Sequence, residues 1–175
     1  MNTSLWNTMA DRWAPSSSGP GPQAADDAQL RARACLPLLP GSVTILLVED
    51  DAMVREVMAE ALQELHHRLI VCADAEQCLG ARAGLRAVAV LVTDVAMPGT
   101  SGIELAEAFR RSRPGSPVVF ATGVADCTDA TAALGPADQL LLKPFGGAAL
   151  LGAVSQAASL AKDLTGRYSR GGGML

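Results

Sequence analysis

A chain of 175 residues, 49% apolar and 18% charged, is long enough for one domain with a real core and too apolar for a disordered protein. Its formal net charge of −4 excludes a basic footprint, so no direct nucleic-acid partner is expected. No run reaches the ~18 consecutive apolar residues of a membrane span, and no basic-then-apolar leader opens the chain, so a soluble cytoplasmic protein with no membrane partner is expected.

Residues 1–42 differ in composition from the rest and read as a flexible arm and linker, with "PSSSGPGP" at 15–22. Both tryptophans precede that linker: Trp6, Met9 and Trp13 fall at helical spacing, compatible with a short docking helix or with a disordered arm. The arm's charges cancel, so the net negative charge belongs to residues 43–175. Residues 162–175, ending in "GGGML", read as a flexible tail.

Between 43 and 161 apolar runs alternate with amphipathic segments. "VTILLV" (43–48) is a buried strand by its continuous β-branched content. "AMVREVMAEALQEL" (52–65) places Val54, Met58, Ala61 and Leu65 on one helical face. "RLIVCA" (68–73) is a shorter strand, "AEQCLGARAGL" a weak helix, and "AVAVLVT" (87–93) a strongly apolar strand. Ser101 and Glu104 have the spacing of a capping box that starts the helix "IELAEAFRRS". "PVVFAT" (117–122) is a strand, "ADCTDATAAL" an alanine-rich helix, "QLLL" (139–142) a buried last strand, and 147–161 a helix with a stripe of Leu150, Leu151, Val154, Ala157 and Ala158. Five strands alternating with five helices predict an α/β single domain with a doubly wound parallel sheet over 43–161.

The four cysteines, Cys35, Cys72, Cys78 and Cys127, lack any Cys-x-x-Cys pair or zinc-spaced histidine and read as small buried thiols. Adjacent His66 and His67 point to different sides of a helix and read as a solvated helix end.

In such a sheet ligands sit outside the carboxyl ends of the strands. The polar residues ending the apolar runs are Glu49, Asp50 and Asp51, then Asp94, Thr122 and Lys143. Asp51, directly before a helical segment, reads as its cap. Carboxylates gathered in one crevice repel, by about 4 kcal/mol for a pair ~4 Å apart at an effective dielectric of 20. Either their pKa values rise or a cation sits among them. Oxygen donors beside a lysine and a threonine point to Mg²⁺ and a phosphoryl group. Lys143 is the only lysine before residue 162 in a chain with twelve arginines, where a compact phosphate contact is expected.

"ILLVEDDAMVRE", "LVTDVAMPGTSGIEL", "VVFATG" and "LLLKPF", in this order over about 43–161, resemble the receiver domain of bacterial two-component response regulators. The resemblance implies a flavodoxin-like fold with strand order 2-1-3-4-5. It implies phosphorylation of Asp94 by a sensor histidine kinase or histidine phosphotransfer protein, and altered binding to a downstream protein. It implies Mg²⁺ held by Glu49, Asp50, Asp94 and the backbone carbonyl of Ala96, with Thr122 as the switch hydroxyl, Lys143 as the phosphate contact, and a cis bond between Lys143 and Pro144.

Two departures from the family pattern matter. Leu140 stands where the family usually has a switch aromatic, so signalling is expected to rely on Thr122 and the loop after it. Ala96 and Val124 stand where side chains tune loss of the phosphoryl group; neither can hydrogen-bond a water, so self-dephosphorylation is expected to be slow. Two other readings compete: a degenerate receiver that binds proteins without phosphorylation, and an aspartyl-phosphate hydrolase of the haloacid-dehalogenase type. The hydrolase needs a second Asp two residues after the nucleophile, where this chain has Ala96, and a cap domain.

Overall fold

The computed structural model describes residues 41–80 and 88–171. The arm of 1–42 therefore lies almost wholly outside the described residues, as do Trp6, Met9, Trp13 and Cys35. The described elements are β1 (Thr44–Val48), α1 (Ala52–Gln63), β2 (Arg68–Cys72), α2 (Ala75–Gly80), β3 (Val88–Asp94), α3 (Gly102–Ser112), β4 (Val118–Thr122), α4 (Cys127–Ala132), β5 (Gln139–Leu142) and α5 (Gly147–Gly171). The strands form one five-stranded sheet in the order β2-β1-β3-β4-β5, and every neighbouring pair is parallel. The flavodoxin-like doubly wound architecture is thus the observed one. Among the described residues no helix is long and apolar enough to cross a membrane.

The alternation of side chains along each strand splits the core in two. Leu46 and Val48 of β1 face Cys78, Leu105, Phe109 and Ala130 on the α2–α3–α4 side. Ile45 and Leu47 face Met58, Leu62, Leu150 and Val154 on the α1–α5 side. In β3 both Ala89 and Val90 join the α1–α5 side, because the pairing with β1 slips by one residue between Thr44 and Ile45. The slip sets the phase of the strand's last residues. Phe109 and Phe120 are essentially buried, each contributing roughly 1.5–3 kcal/mol by leaving water.

The helix starts follow from local chemistry. Asp51 caps α1 by accepting from the amides of Met53 and Val54 at 2.8 and 3.0 Å. Ser101 and Glu104 form the expected reciprocal capping box on α3. On α1 the expected face is present, with Met58 joined by Leu62 as the buried pair and Val54, Ala61 and Leu65 packed at its margin.

Three expectations need correction. β5 is an edge strand and only half-buried, with Leu142 48% exposed, because among the described residues no strand flanks one of its sides. The segment after 161 continues as helix to Gly171 rather than starting a tail, since no proline interrupts it and a helix can carry a single interior glycine such as Gly166 at a cost of about 1 kcal/mol. The histidines are not an equivalent solvated pair: His66 is exposed at φ +52°, just beyond α1, whereas His67 is half-buried with its Nδ1 lacking a partner. Of the described cysteines, Cys72 and Cys78 are buried free thiols, and burial together with their mutual contact pushes the Cys78 thiol up.

One anchor places β5. The Asp138 carboxylate accepts from the amide of Val118 at 2.8 Å, the amide of Gly135 at 2.6 Å, and the Arg110 guanidinium of α3. Arg110 also donates to Ala133 O at 3.2 Å and lies 5.8 Å above the Phe120 ring. This network joins α3, the start of β4 and the turn before β5, so it fixes where β5 begins and which residue ends it. Replacing Asp138 with alanine leaves a half-buried guanidinium and two amides without their acceptor. Urea denaturation of Asp138→Ala should show a loss of about 3 kcal/mol; an unchanged midpoint would contradict the anchor.

Candidate functional site

The three central strands end at one edge, and the ends of β1 and β3 carry the acids. Glu49 follows β1 and is 1% exposed; Asp94 ends β3 and is 7% exposed; Asp50 is exposed. One carboxylate oxygen from each lies within 4.8 Å of the others. The expected gathering of Glu49, Asp50 and Asp94 is therefore present, with two acids sunk into the edge and one at the solvent.

Lys143 meets them from the end of β5. Its Nζ donates to Asp94 Oδ2 at 2.6 Å and to Glu49 Oε2 at 2.9 Å. Its amide donates to Thr122 O at 2.7 Å, which extends the β4–β5 ladder by one residue and holds the lysine backbone at the site. The bond to Pro144 is cis, as the family resemblance implied. A residue 94 positions away in the chain from Glu49 becomes its direct partner only through the fold.

The charges respond as expected for a crowded acidic crevice. Burial pushes the Glu49 carboxyl up, the hydrogen bond from Lys143 opposes this, and the neighbouring Asp94 charge adds to the rise. Burial works against the charge on Lys143, but its bonds to Asp94 and Glu49 outweigh that and hold the ammonium above its usual range. One lysine thus serves two sunken carboxylates, which ionised exceed it by one charge, and Asp50 adds to that negative balance.

The remaining expected residues are close by. The amide of Ala96 donates to Asp94 Oδ1 at 3.2 Å, and Ala96 itself is exposed beside the acid. Thr122 is fully buried, and its hydroxyl donates to Gly123 O at 3.1 Å in this state. Val124, in the loop that follows, is 77% exposed. Leu140 is half-buried and packs against the α2–α3–α4 core.

Arg55 was not singled out from the sequence, yet its Nη1 donates to the carbonyls of Glu49 and Asp50 at 2.7 and 3.0 Å. It brings positive charge to the loop without occupying a carboxylate oxygen. The readable signal was its place one turn into α1, from which a long side chain reaches back over the helix start.

Three hard oxygen donors with one exposed to solvent suit a small divalent cation that keeps part of its water shell. The donor set fits Mg²⁺ and lacks the thiolates or imidazoles of a softer-metal site.

The sheet is doubly wound, and its switch-point edge combines an acid cluster with a lysine. The profile described as "Response regulator receiver domain" matches residues 45–155. The chain belongs to that family, the receiver domains of two-component systems. Among curated proteins it is 38% identical over 127 residues to the transcriptional regulatory protein TcrA of Mycobacterium tuberculosis, covering 69% of this chain and 49% of that protein. It is 35% identical over 116 residues to the response regulator protein FleR of Pseudomonas aeruginosa, covering 65% and 24%. It is 34% identical over 102 residues to the DNA-binding response regulator MtrA of Mycolicibacterium paratuberculosis, covering 58% and 44%. The chain thus spans half or less of the length of these relatives. A solved receiver protein from Sinorhizobium medicae superposes with a TM-score of 0.63 at 26% identity, covering 69% of this chain and 97% of that one. A receiver domain protein from Clostridium thermocellum gives 0.64 at 22% identity, covering 70% and 98%, and speaks to the fold alone.

A cation bound to the cluster should stabilise the folded state by mass action. At about 100 times its dissociation constant, Mg²⁺ should add about 2.7 kcal/mol. Thermal denaturation with and without Mg²⁺ should show a rise for the wild type that Asp50→Asn largely abolishes. An equal rise in that variant would remove Asp50 from the cation site.

Proposed function

We propose that this chain accepts a phosphoryl group on Asp94 from a sensor histidine kinase or a histidine phosphotransfer protein, in a Mg²⁺-dependent step, and thereby changes its binding to a downstream protein. The observation that carries the reading is the pair of bonds from Lys143 Nζ to Asp94 and Glu49 at 2.6 and 2.9 Å, beside a third carboxylate. A compact ammonium already seated on the acceptor carboxylate is placed to meet a phosphoryl oxygen arriving there.

The roles follow from the chemistry. An Asp94 carboxylate oxygen attacks the phosphorus of the donor's phosphohistidine. The new P–O bond forms as the P–N bond breaks, and the imidazole nitrogen keeps the bonding pair. Lys143 compensates the charge on the transferred group, so the protein acts mainly by positioning and electrostatics. Glu49, Asp50, Asp94 and the carbonyl of Ala96 would hold Mg²⁺, which when bound supplies further neutralisation of the phosphoryl oxygens. Thr122, whose hydroxyl donates to Gly123 O in this state, serves as the switch by turning to the phosphoryl group. That turn frees Gly123 O and lets the loop bearing exposed Val124 move, which gives a readout without an aromatic at Leu140.

The reading makes the chain a self-phosphorylating signalling protein, not a turnover enzyme, because Ala96 and Val124 offer no side-chain hydrogen bond to a hydrolytic water. A net charge of −4 supports a chain that does not itself contact nucleic acid, although MtrA is a DNA-binding regulator. A cytoplasmic location, where histidine kinases present their phosphoryl groups, accords with this role.

Acetyl phosphate with Mg²⁺ should label the wild type on a phosphate-affinity gel, and chelation should abolish the label. Asp94→Asn should take none, and Lys143→Met should label far more slowly. Equal labelling of wild type and Asp94→Asn would overturn the assignment of Asp94, and no label on either would favour the phosphorylation-independent binding module. The phosphorylated wild type should be long-lived, and polar residues introduced at 96 and 124 should shorten that lifetime severalfold; an unchanged lifetime would refute the role of these two positions.

A further inference from the structure

We propose that Gly102 and Thr93 are positioning residues for Asp94: together they clamp the peptide that follows it and so set where its carboxylate stands. The proposal rests on the reading of Asp94 as the phosphoacceptor.

The peptide bonds after Asp94 are held at several points. The Thr93 hydroxyl, itself fully buried, donates to Asp94 O at 2.9 Å. The amide of Val95 donates to Ala121 O of β4 at 2.9 Å, and Val95 O accepts from the amide of Gly102 at 3.1 Å. The Asp94 carboxylate is tied to the same turn through the amide of Ala96. The first residue of α3 therefore sits directly on the end of β3.

Only a glycine permits that approach. A Cβ at position 102 would stand 1.9 Å from Asp94 O, 2.8 Å from Asp94 C and 2.9 Å from Thr93 Oγ1. The first two are backbone atoms of the acceptor residue, which cannot rotate aside as a side-chain tip would. Either α3 withdraws and loses its bond to Val95 O, or the Asp94 peptide shifts by about an ångström, because packed interiors transmit such strain. Gly152 of α5, by contrast, would place a Cβ with no heavy atom within 4 Å. The requirement at 102 is therefore local to the acid. Thr93, fully buried, works on the same carbonyl: its hydroxyl donates to the Asp94 O that Gly102 faces. Neither residue reaches a phosphoryl group; both act through the backbone of the residue that does.

The experiment compares Gly102→Ala, Thr93→Val and Thr93→Ser with the wild type, and uses Gly152→Ala as the control for the general effect of alanine replacing glycine in a helix. Three readouts are taken at a temperature where circular dichroism shows each variant fully folded: the rate of phosphorylation by acetyl phosphate, Mg²⁺ affinity by calorimetry, and the melting temperature. A displacement near 1 Å should slow Gly102→Ala about 100-fold and weaken its Mg²⁺ binding. Thr93→Val should slow phosphorylation about tenfold, as expected for loss of one orienting hydrogen bond, and Thr93→Ser, which keeps the hydroxyl, should restore it. Gly152→Ala should match the wild type in rate. A folded Gly102→Ala with the wild-type rate and Mg²⁺ affinity would overturn the proposal, as would equal rates for Thr93→Val and Thr93→Ser. Should Gly102→Ala fail to fold, the threonine pair decides alone. Should the wild type itself take no phosphate, the assignment of Asp94 fails instead, and Mg²⁺ affinity, which needs only Asp94's place in the acid cluster, still decides the positioning claim.

Discussion

Two carboxylates buried at the end of a sheet cannot stay charged together without a cation, and this constraint organises the molecule. Glu49 and Asp94 are nearly inaccessible to water, and the Lys143 ammonium bonds to both. For that to happen three strands must end at one height. β1 and β3 are held in register through the core, and β5 is brought alongside β4 by the Asp138 anchor. The sheet serves as a jig that sets three chain-distant side chains against one another.

The same constraint explains the asymmetry of the site. Asp50 stays at the surface while its neighbour Glu49 turns inward, and Arg55 bonds to the carbonyls of both. A guanidinium spent on backbone oxygens leaves carboxylate oxygens for a hard cation. Across the crevice, the backbone after Asp94 is held by Thr93, Ala121 and Gly102, through Asp94 O, the Val95 amide and Val95 O. Rigidity therefore collects around Asp94. The loop after Thr122 is more exposed, and its ties are local ones, from the Thr122 hydroxyl to Gly123 O and from the Cys127 amide to Val124 O.

Much of this was readable in the chain. Continuous β-branched runs marked the strands, and each run's terminal polar residue marked the site, because a buried parallel strand has nowhere else to put a charge. The capping acids Asp51 and Glu104 were legible from spacing alone, since capping is local. Other features were not. The half-exposure of β5 depends on its edge place in the sheet, which its apolar sequence "QLLL" does not encode. Arg110 and Asp138 are 28 residues apart, and nothing in either segment names the other. The continuation of α5 beyond 161 went unread because a glycine-rich terminus dominated the composition there.

The sequence by itself determined the alternation of elements, and with it the parallel sheet and the placing of Glu49, Asp50, Asp94, Thr122 and Lys143 where the apolar runs end, at one edge of it. These follow from periodicity and from the cost of burying a charge, both properties of local chain segments. Only the tertiary structure decided which carboxylates are sunk and which is exposed, that Lys143 bonds to two of them, that Arg55 bonds to carbonyls, and that position 102 tolerates no side chain. Those outcomes depend on distances between segments far apart in the chain, and such distances exist only once both halves of the core have packed.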